Sequence, residues 1–210
     1  FKFKNRDGQN MEIASFHEFH DTFSEYRKDN RWMFRGQADA EWPVVPKAGR
    51  FPYCERDDLE YLAAWKRKAS EYIVKKPEND WEWMAIAQHH GLPTRLLDWS
   101  YNPLVAAFFA CVSHPDKDSA IYCLQPNWVI IPDVAKPAKF KNIAKYKPNM
   151  VASRIDKQSG LFTTHPEPKV DLTRGLGPRD ELVIHTIKSS YKRQMLFDLN
   201  HYGINRLTLM

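Results

Sequence analysis

The densest run of chemically capable side chains is Gln88-His89-His90-Gly91-Leu92-Pro93-Thr94-Arg95-Leu96-Leu97-Asp98-Trp99-Ser100, with Asn102-Pro103-Leu104 close behind. It connects two helix-like segments, where a linker is ordinarily polar and loose. Two His, an Arg, an Asp, a Trp and two hydroxyls are costly to bury unless they bond one another or a ligand. Two readings stand side by side: an internal polar staple with Arg95 paired to Asp98, or a binding site. A metal centre on His89, His90, Asp98 and His165 is the weaker chemistry. Consecutive helical positions diverge by about 100°, and no metal-ligand spacing is present. No metal is expected.

Three shorter motifs add to it. Phe34-Arg35-Gly36-Gln37 places an Arg at the end of a strand, where a fixed guanidinium fork suits a phosphate or carboxylate. Gln158-Ser159-Gly160-Leu161-Phe162-Thr163 is a turn into a strand, with His165 just beyond. Arg179-Asp180-Glu181-Leu182-Val183-Ile184 sets a carboxylate at the mouth of an apolar strand, a position where a solvated strand end is the plainer reading.

Hydrophobic periodicity supplies the elements that must position these groups. Phe16, Phe19, Phe23 and Tyr26 predict a helix over 14–28, followed by a short strand at 31–36. Leu59, Leu62, Trp65, Ala69, Tyr72 and Ile73 predict a second helix over 56–75. A third runs from Asp80, read as its N-cap, to Gly91, and residues 92–100 read as an ordered connection. Asn102-Pro103 opens a helix over 103–112 that is apolar almost all round and therefore buried. Strands are expected at 120–125, 128–131, 161–164, 181–187 and 206–210, with a helix over 190–202 ending at Gly203. The order predicts a single α+β domain over 1–210: a small mixed or antiparallel sheet core flanked by helices, with 133–157 its least defined segment.

Composition narrows the function classes. Apolar residues make up 43% of the 210 and charged residues 27%, enough for a core and against disorder as the main state. No apolar run has the length of a membrane span and no signal-peptide pattern opens the chain, so it reads as a soluble cytoplasmic domain. Cys54, Cys111 and Cys123 have no paired spacing, which argues against a disulfide framework or a cysteine-bound zinc. There is no Walker-type or dinucleotide-fold glycine pattern. Residues 1–105 hold 16 Lys and Arg against 17 Asp and Glu, whereas residues 106–210 hold 15 against 9. The excess concentrates in Lys136, Lys139, Lys141, Lys145, Lys147, Arg154 and Lys157, faced only by Asp156 and interleaved with Phe140 and Tyr146. Such a stretch tracks a nucleic-acid backbone or is simply a solvated surface.

Taken together, Phe34-Arg35-Gly36-Gln37, Pro46-Lys47-Ala48-Gly49-Arg50, the 88–100 run and Gln158-Ser159-Gly160-Leu161-Phe162 resemble the FRG domain family, named for its Phe-Arg-Gly motif. The resemblance spans roughly 12–210. It implies a bacterial or phage-encoded cytoplasmic protein, and residues that normally follow the last strand beyond Met210. More distantly, the layout resembles the ADP-ribosyltransferase superfamily in its Arg–Ser–Glu form. Arg35 matches the first element and Asp98-Trp99-Ser100, ahead of an apolar helix, the second. Glu181 is the third, although Arg179 stands where that family has Glu or Gln, and Gln158 is the alternative.

That resemblance implies an enzyme consuming NAD, by transfer or hydrolysis, in conflict between bacteria and phage. Arg35 would hold phosphate, Ser100 position the ribose, and Glu181 or Gln158 stabilise the oxocarbenium that forms when the nicotinamide–ribose bond breaks. Gln37, His89, His90, Thr94, Arg95, Asp98, Trp99 and Phe162 complete the expected nucleotide contacts. A nucleic acid or a protein would accept the ADP-ribose. The alternative is a non-catalytic nucleotide- or nucleic-acid-binding module using Lys139, Lys141, Lys145, Lys147 and Arg154. A purely structural domain, with the polar run as its staple, is the remaining reading.

Overall fold

A computed structural model of the protein describes residues 10–73, 76–148 and 160–209. The strands in chain order are β1 (Glu12–Ile13), β2 (Met33–Gln37), β3 (Leu96–Ser100), β4 (Ser119–Gln125), β5 (Ala144–Tyr146), β6 (Gly160–Thr164) and β7 (Glu181–Ile187). In space they form a seven-stranded mixed sheet ordered β1-β7-β4-β2-β3-β6-β5. Only the β1–β7 pair is parallel. The helices are α1 (Phe16–Ser24), α2 (Asp58–Ala69), α3 (Asp80–His89), α4 (Pro103–Cys111), α5 (Leu172–Gly175), α6 (Ser189–His201) and α7 (Arg206–Leu209). The architecture is α+β, a mixed sheet flanked by helices.

The helices begin where side chains satisfy their free N–H groups. Ser15 Oγ accepts from Glu18 N before α1, and Asn102 Oδ1 accepts from Leu104 N before α4. Asn79, not Asp80, caps α3 by accepting from Glu82 N, while the Glu82 carboxylate accepts from Glu78 N. Helix α4 contributes Ala106, Ala107, Phe108 and Ala110 to one buried cluster with Phe34, Ile121 and Cys123 of the sheet. Its descent onto β2 is close. A Cβ at Gly36 would collide with the Ala106 carbonyl oxygen and lie 2.6 Å from Ala110 N. Glycine is required here because the two backbones touch, not for any unusual torsion.

A second tie comes from Lys192 of α6. Its ammonium is buried and donates to the carbonyl oxygens of Ala38, Ser113, His114 and Lys117 at 2.7–3.1 Å. Those carbonyls belong to the chain leaving β2 and the chain leaving α4, so one cation fastens both to α6. Burial pulls its pKa below the ordinary lysine value.

Four sequence expectations change. Residues 92–100 contain a strand, β3, and the basic stretch contains β5. The expected strand at 128–131 reduces to one bridge, Val129 to Lys145. The expected strand at 206–210 is the helical turn α7, because Asn205 Oδ1 captures the N–H groups of Leu207 and Thr208. Replacing Gly36 with Ala forces α4 off β2. We expect Gly36→Ala to lower unfolding stability by about 1–3 kcal/mol or more, read as a drop in denaturant midpoint at unchanged slope.

Candidate functional site

Strand β2 pairs with β4 through five residue pairs, and β3 pairs with β6 through five, yet β2 and β3 share only Phe34 opposite Ser100. Beyond that pair the sheet parts. A cleft of about 470 Å³ opens there, lined by β2, β3, α3 and α4. That volume suits a small organic ligand.

Arg35 spans the parting. Its Nη1 donates to the Asp98 carbonyl oxygen at 2.8 Å, standing in for a ladder bond the strands do not make. Its Nε is buried and has no hydrogen-bond partner among the described residues. Burial lowers the Arg35 pKa, Arg50 pushes the same way, and Asp98 pulls against both. The guanidinium remains charged at any physiological pH. Arg50 also lines the cleft, held by Nε and Nη2 bonds of 3.1 and 2.9 Å to the Val45 carbonyl.

The Asp98 side chain is exposed toward the same cleft, and a short chain of bonds fixes it. Gln88 Nε2 donates to Asp98 Oδ1 at 2.8 Å, and the Thr94 hydroxyl donates to Gln88 Oε1. Trp42, Trp99, Phe109 and Phe162 supply aromatic walls. Trp99 Nε1 donates to Thr163 Oγ1 at 2.8 Å, and that hydroxyl lies 3.0 Å from His165 Nε2. His165 is buried and its pKa falls to about 3, through desolvation first and the Arg35 charge second. It is a neutral partner of Thr163.

Of the expected site residues, Arg35, Gln37, His89, Asp98, Trp99, Ser100 and Phe162 line this cleft. Gln37 also has a structural task, donating to the Trp42 carbonyl at 2.6 Å. Thr94 stands behind Gln88. The expected Arg95–Asp98 staple is not formed. Arg95 turns away into a buried pair with Asp58, Nη2 to Oδ1 at 2.6 Å, and so ties β3 to the first turn of α2. His90 lies outside the cleft with its ring 6.0 Å from that of Trp65.

Glu181 does not join the cleft. Register through Tyr122 sets Ile184 in line with Arg35. Glu181 is three residues earlier, roughly 10 Å along the strand, and is not among the residues that line the cleft. Gln158 and Arg154 lie outside the described residues. Lys139 and Lys141 are exposed, away from the cleft, while Lys145 and Lys147 border a different one. Among the described residues no group of three or more His, Cys, Asp or Glu is placed to hold a metal.

Residues 30–119 match the family model of the FRG domain. Over this segment the chain is similar to the FRG family. No curated protein and no solved structure matches the chain. The matched FRG segment runs from the residue before Arg31 to the first residue of β4, so it contains β2, α2, α3, β3 and α4. It thus carries every element that lines the cleft except Phe162 of β6. Arg50, Trp42 and Phe109 are the lining residues that sequence reasoning passed over. Arg50 had a signal, since it closes the Pro46-Lys47-Ala48-Gly49-Arg50 motif. Trp42 and Phe109 had none beyond hydrophobicity.

The buried histidines make the protein acid-sensitive. His165 and His185 have pKa values of about 3 and about 4, both lowered from 6.5 chiefly by burial. As pH falls below 6.5 the unfolded chain binds protons that the folded chain refuses, so stability is lost with falling pH. The expected slope is about 1.4 kcal/mol per pH unit for each histidine. Urea midpoints measured at pH 7, 6 and 5 read it, and His185→Gln should shallow the slope by one proton. A flat profile would refute the assignment.

Proposed function

We propose that the cleft where β2 and β3 part binds NAD, and that the domain hydrolyses its nicotinamide–ribose bond in the manner of an ADP-ribosyltransferase-like fold. The observation that carries this reading is that two guanidinium groups and one carboxylate line the same gap. Arg35 and Arg50 provide positive charge for a pyrophosphate, and Asp98 provides negative charge beside it. Among the lining aromatics, the exposed Trp42 and the half-buried Phe109 offer ring surface to a base.

Asp98 takes the part expected of Glu181. When the C1′–N bond breaks, the bonding electron pair leaves with neutral nicotinamide and the ribose carries the positive charge. A carboxylate held by Gln88 stabilises that charge without having to reorient. Water then adds at C1′ and its proton leaves through Asp98 to solvent, giving ADP-ribose, nicotinamide and a proton. Ser100, whose Oγ accepts from Asn102 N at 2.9 Å, stands at the foot of the cleft as the ribose neighbour.

The displacement of Glu181 favours a second reading, in which the same residues bind a nucleotide and no chemistry follows. One experiment separates the two. NAD binding is measured by calorimetry and nicotinamide release by chromatography, for the wild type, Arg50→Ala and Asp98→Asn. The enzyme reading expects Asp98→Asn to cut release by about 10²–10³-fold with affinity within a few-fold of wild type. It also expects Arg50→Ala to weaken affinity about 10-fold. Binding without release leaves the module reading, and a folded wild type that neither binds NAD nor releases nicotinamide sinks both.

A further inference from the structure

A second, larger cleft of about 1030 Å³ lies at the opposite end of β2, on the far side of the Phe34–Ser100 pair. It shares no charged residue with the first. One wall is aromatic: Phe16, Tyr26, Trp32, Tyr101 and Tyr202 border it. Phe16 and Tyr202 stack at 5.1 Å, and Tyr202 is 61% exposed, so an open ring face ends the wall. The other side is cationic, with Arg27, Arg31, Lys145 and Lys147 against Asp29 as the sole lining carboxylate.

The cations are not consumed by ordinary surface pairing. Arg31 does hold Asp29, at 2.7 Å. Lys145 has no hydrogen bond or ion pair to its Nζ among the described residues, and it is partly buried beside Arg31 and Lys147. Arg31, Lys145 and Lys147 outnumber Asp29 at this cleft, an excess of positive charge that is unfavourable in the empty protein and is relieved by an anion. Aromatic faces opposite cations are the two parts a nucleotide requires: a stacking surface for the base and charge for the phosphate. The cleft's size exceeds one nucleotide. A cleft of that size, edged by cations, matches a polymer better than a free nucleotide.

We infer that this second cleft binds single-stranded nucleic acid, seating a base against Tyr101 and Tyr202 and its phosphates on Arg31, Lys145 and Lys147. The site stands independently of the NAD proposal, because it uses other residues. The test is fluorescence anisotropy of a labelled 12-nucleotide single strand with the full chain, across a salt series. Wild type, Arg31→Gln/Lys145→Gln and Tyr101→Ala are compared after thermal melts establish that each is folded. The expected result is binding that weakens steeply with salt. The double variant should lose about 10-fold or more and reduce the salt slope by about 2. Tyr101→Ala should lose about 5–100-fold with an unchanged slope.

The same variants should bind NAD as the wild type does, so failure here is distinct from failure of the first cleft. No binding at low salt, or affinity unmoved in both variants, overturns the inference. Competition by UMP or AMP as effective as by the oligonucleotide overturns the polymer and leaves a mononucleotide pocket. Equal affinity for duplex overturns the single-strand assignment.

Discussion

The contact on which the rest depends is backbone against backbone, where α4 meets β2 at Gly36. A helix that rests on side chains stands some 10 Å from its sheet, and here the absent Cβ lets it come closer. Closeness at that point fixes the helix to β2 rather than to β3, and the sheet is free to part between them. Lys192 reinforces the arrangement by holding the exits of both β2 and α4 with one buried ammonium. A buried cation with four carbonyl oxygens around it is fully solvated by protein, so removing the amine would leave those acceptors unpaired. The cleft is therefore a consequence of packing and not a loop feature.

Parting the sheet has a cost that Arg35 offsets. β2 and β3 each keep one full partner, but their facing edges would expose unpaired carbonyls over the cleft. The Arg35 guanidinium answers the one at Asp98, and in doing so fixes its own remaining donors at the cleft. Arg-Gly is thus a single device: Gly36 brings the helix down, and Arg35 bridges the gap that results. The other buried ion pair, Arg95 with Asp58, works differently. It is sealed from solvent and contributes register between β3 and α2 more than net stability.

Much of this was legible in the chain. Phe16, Phe19, Phe23 and Tyr26 announced α1, and the apolar 103–112 stretch announced a buried α4, because periodicity reports burial directly. The 88–100 run was recognisable as costly to bury, and most of its polar groups do meet in one place. Which group pairs with which was not legible. Arg95 stands just before β3 and is taken by Asp58 of α2, while Asp98 lies within the strand and is held by Gln88, and the strand itself was read as a connection. Glu181 was placed by resemblance to a family pattern, and strand register, which no single sequence displays, sets it three residues from the position in line with Arg35. The tail misled for a local reason: Ile204, Leu207 and Leu209 suggest a strand, yet Asn205 captures the next N–H groups and starts a turn.

The two clefts have one divider. Phe34 lines both, and its pairing with Ser100 is the one register pair between β2 and β3 among the described residues. On one side of it lie the guanidinium groups and Asp98, which carry charge of both signs. On the other lie cations against rings, with charge of almost one sign. A site that must stabilise a developing positive centre needs an anion as well as a phosphate clamp; Asp98 serves in the first cleft, whereas the one carboxylate of the second, Asp29, is engaged by Arg31. A site that must hold a polyanion needs neither a carboxylate nor enclosure, and the second has the wider, cation-edged form. The difference in charge composition across a single residue pair is what distinguishes the two proposals.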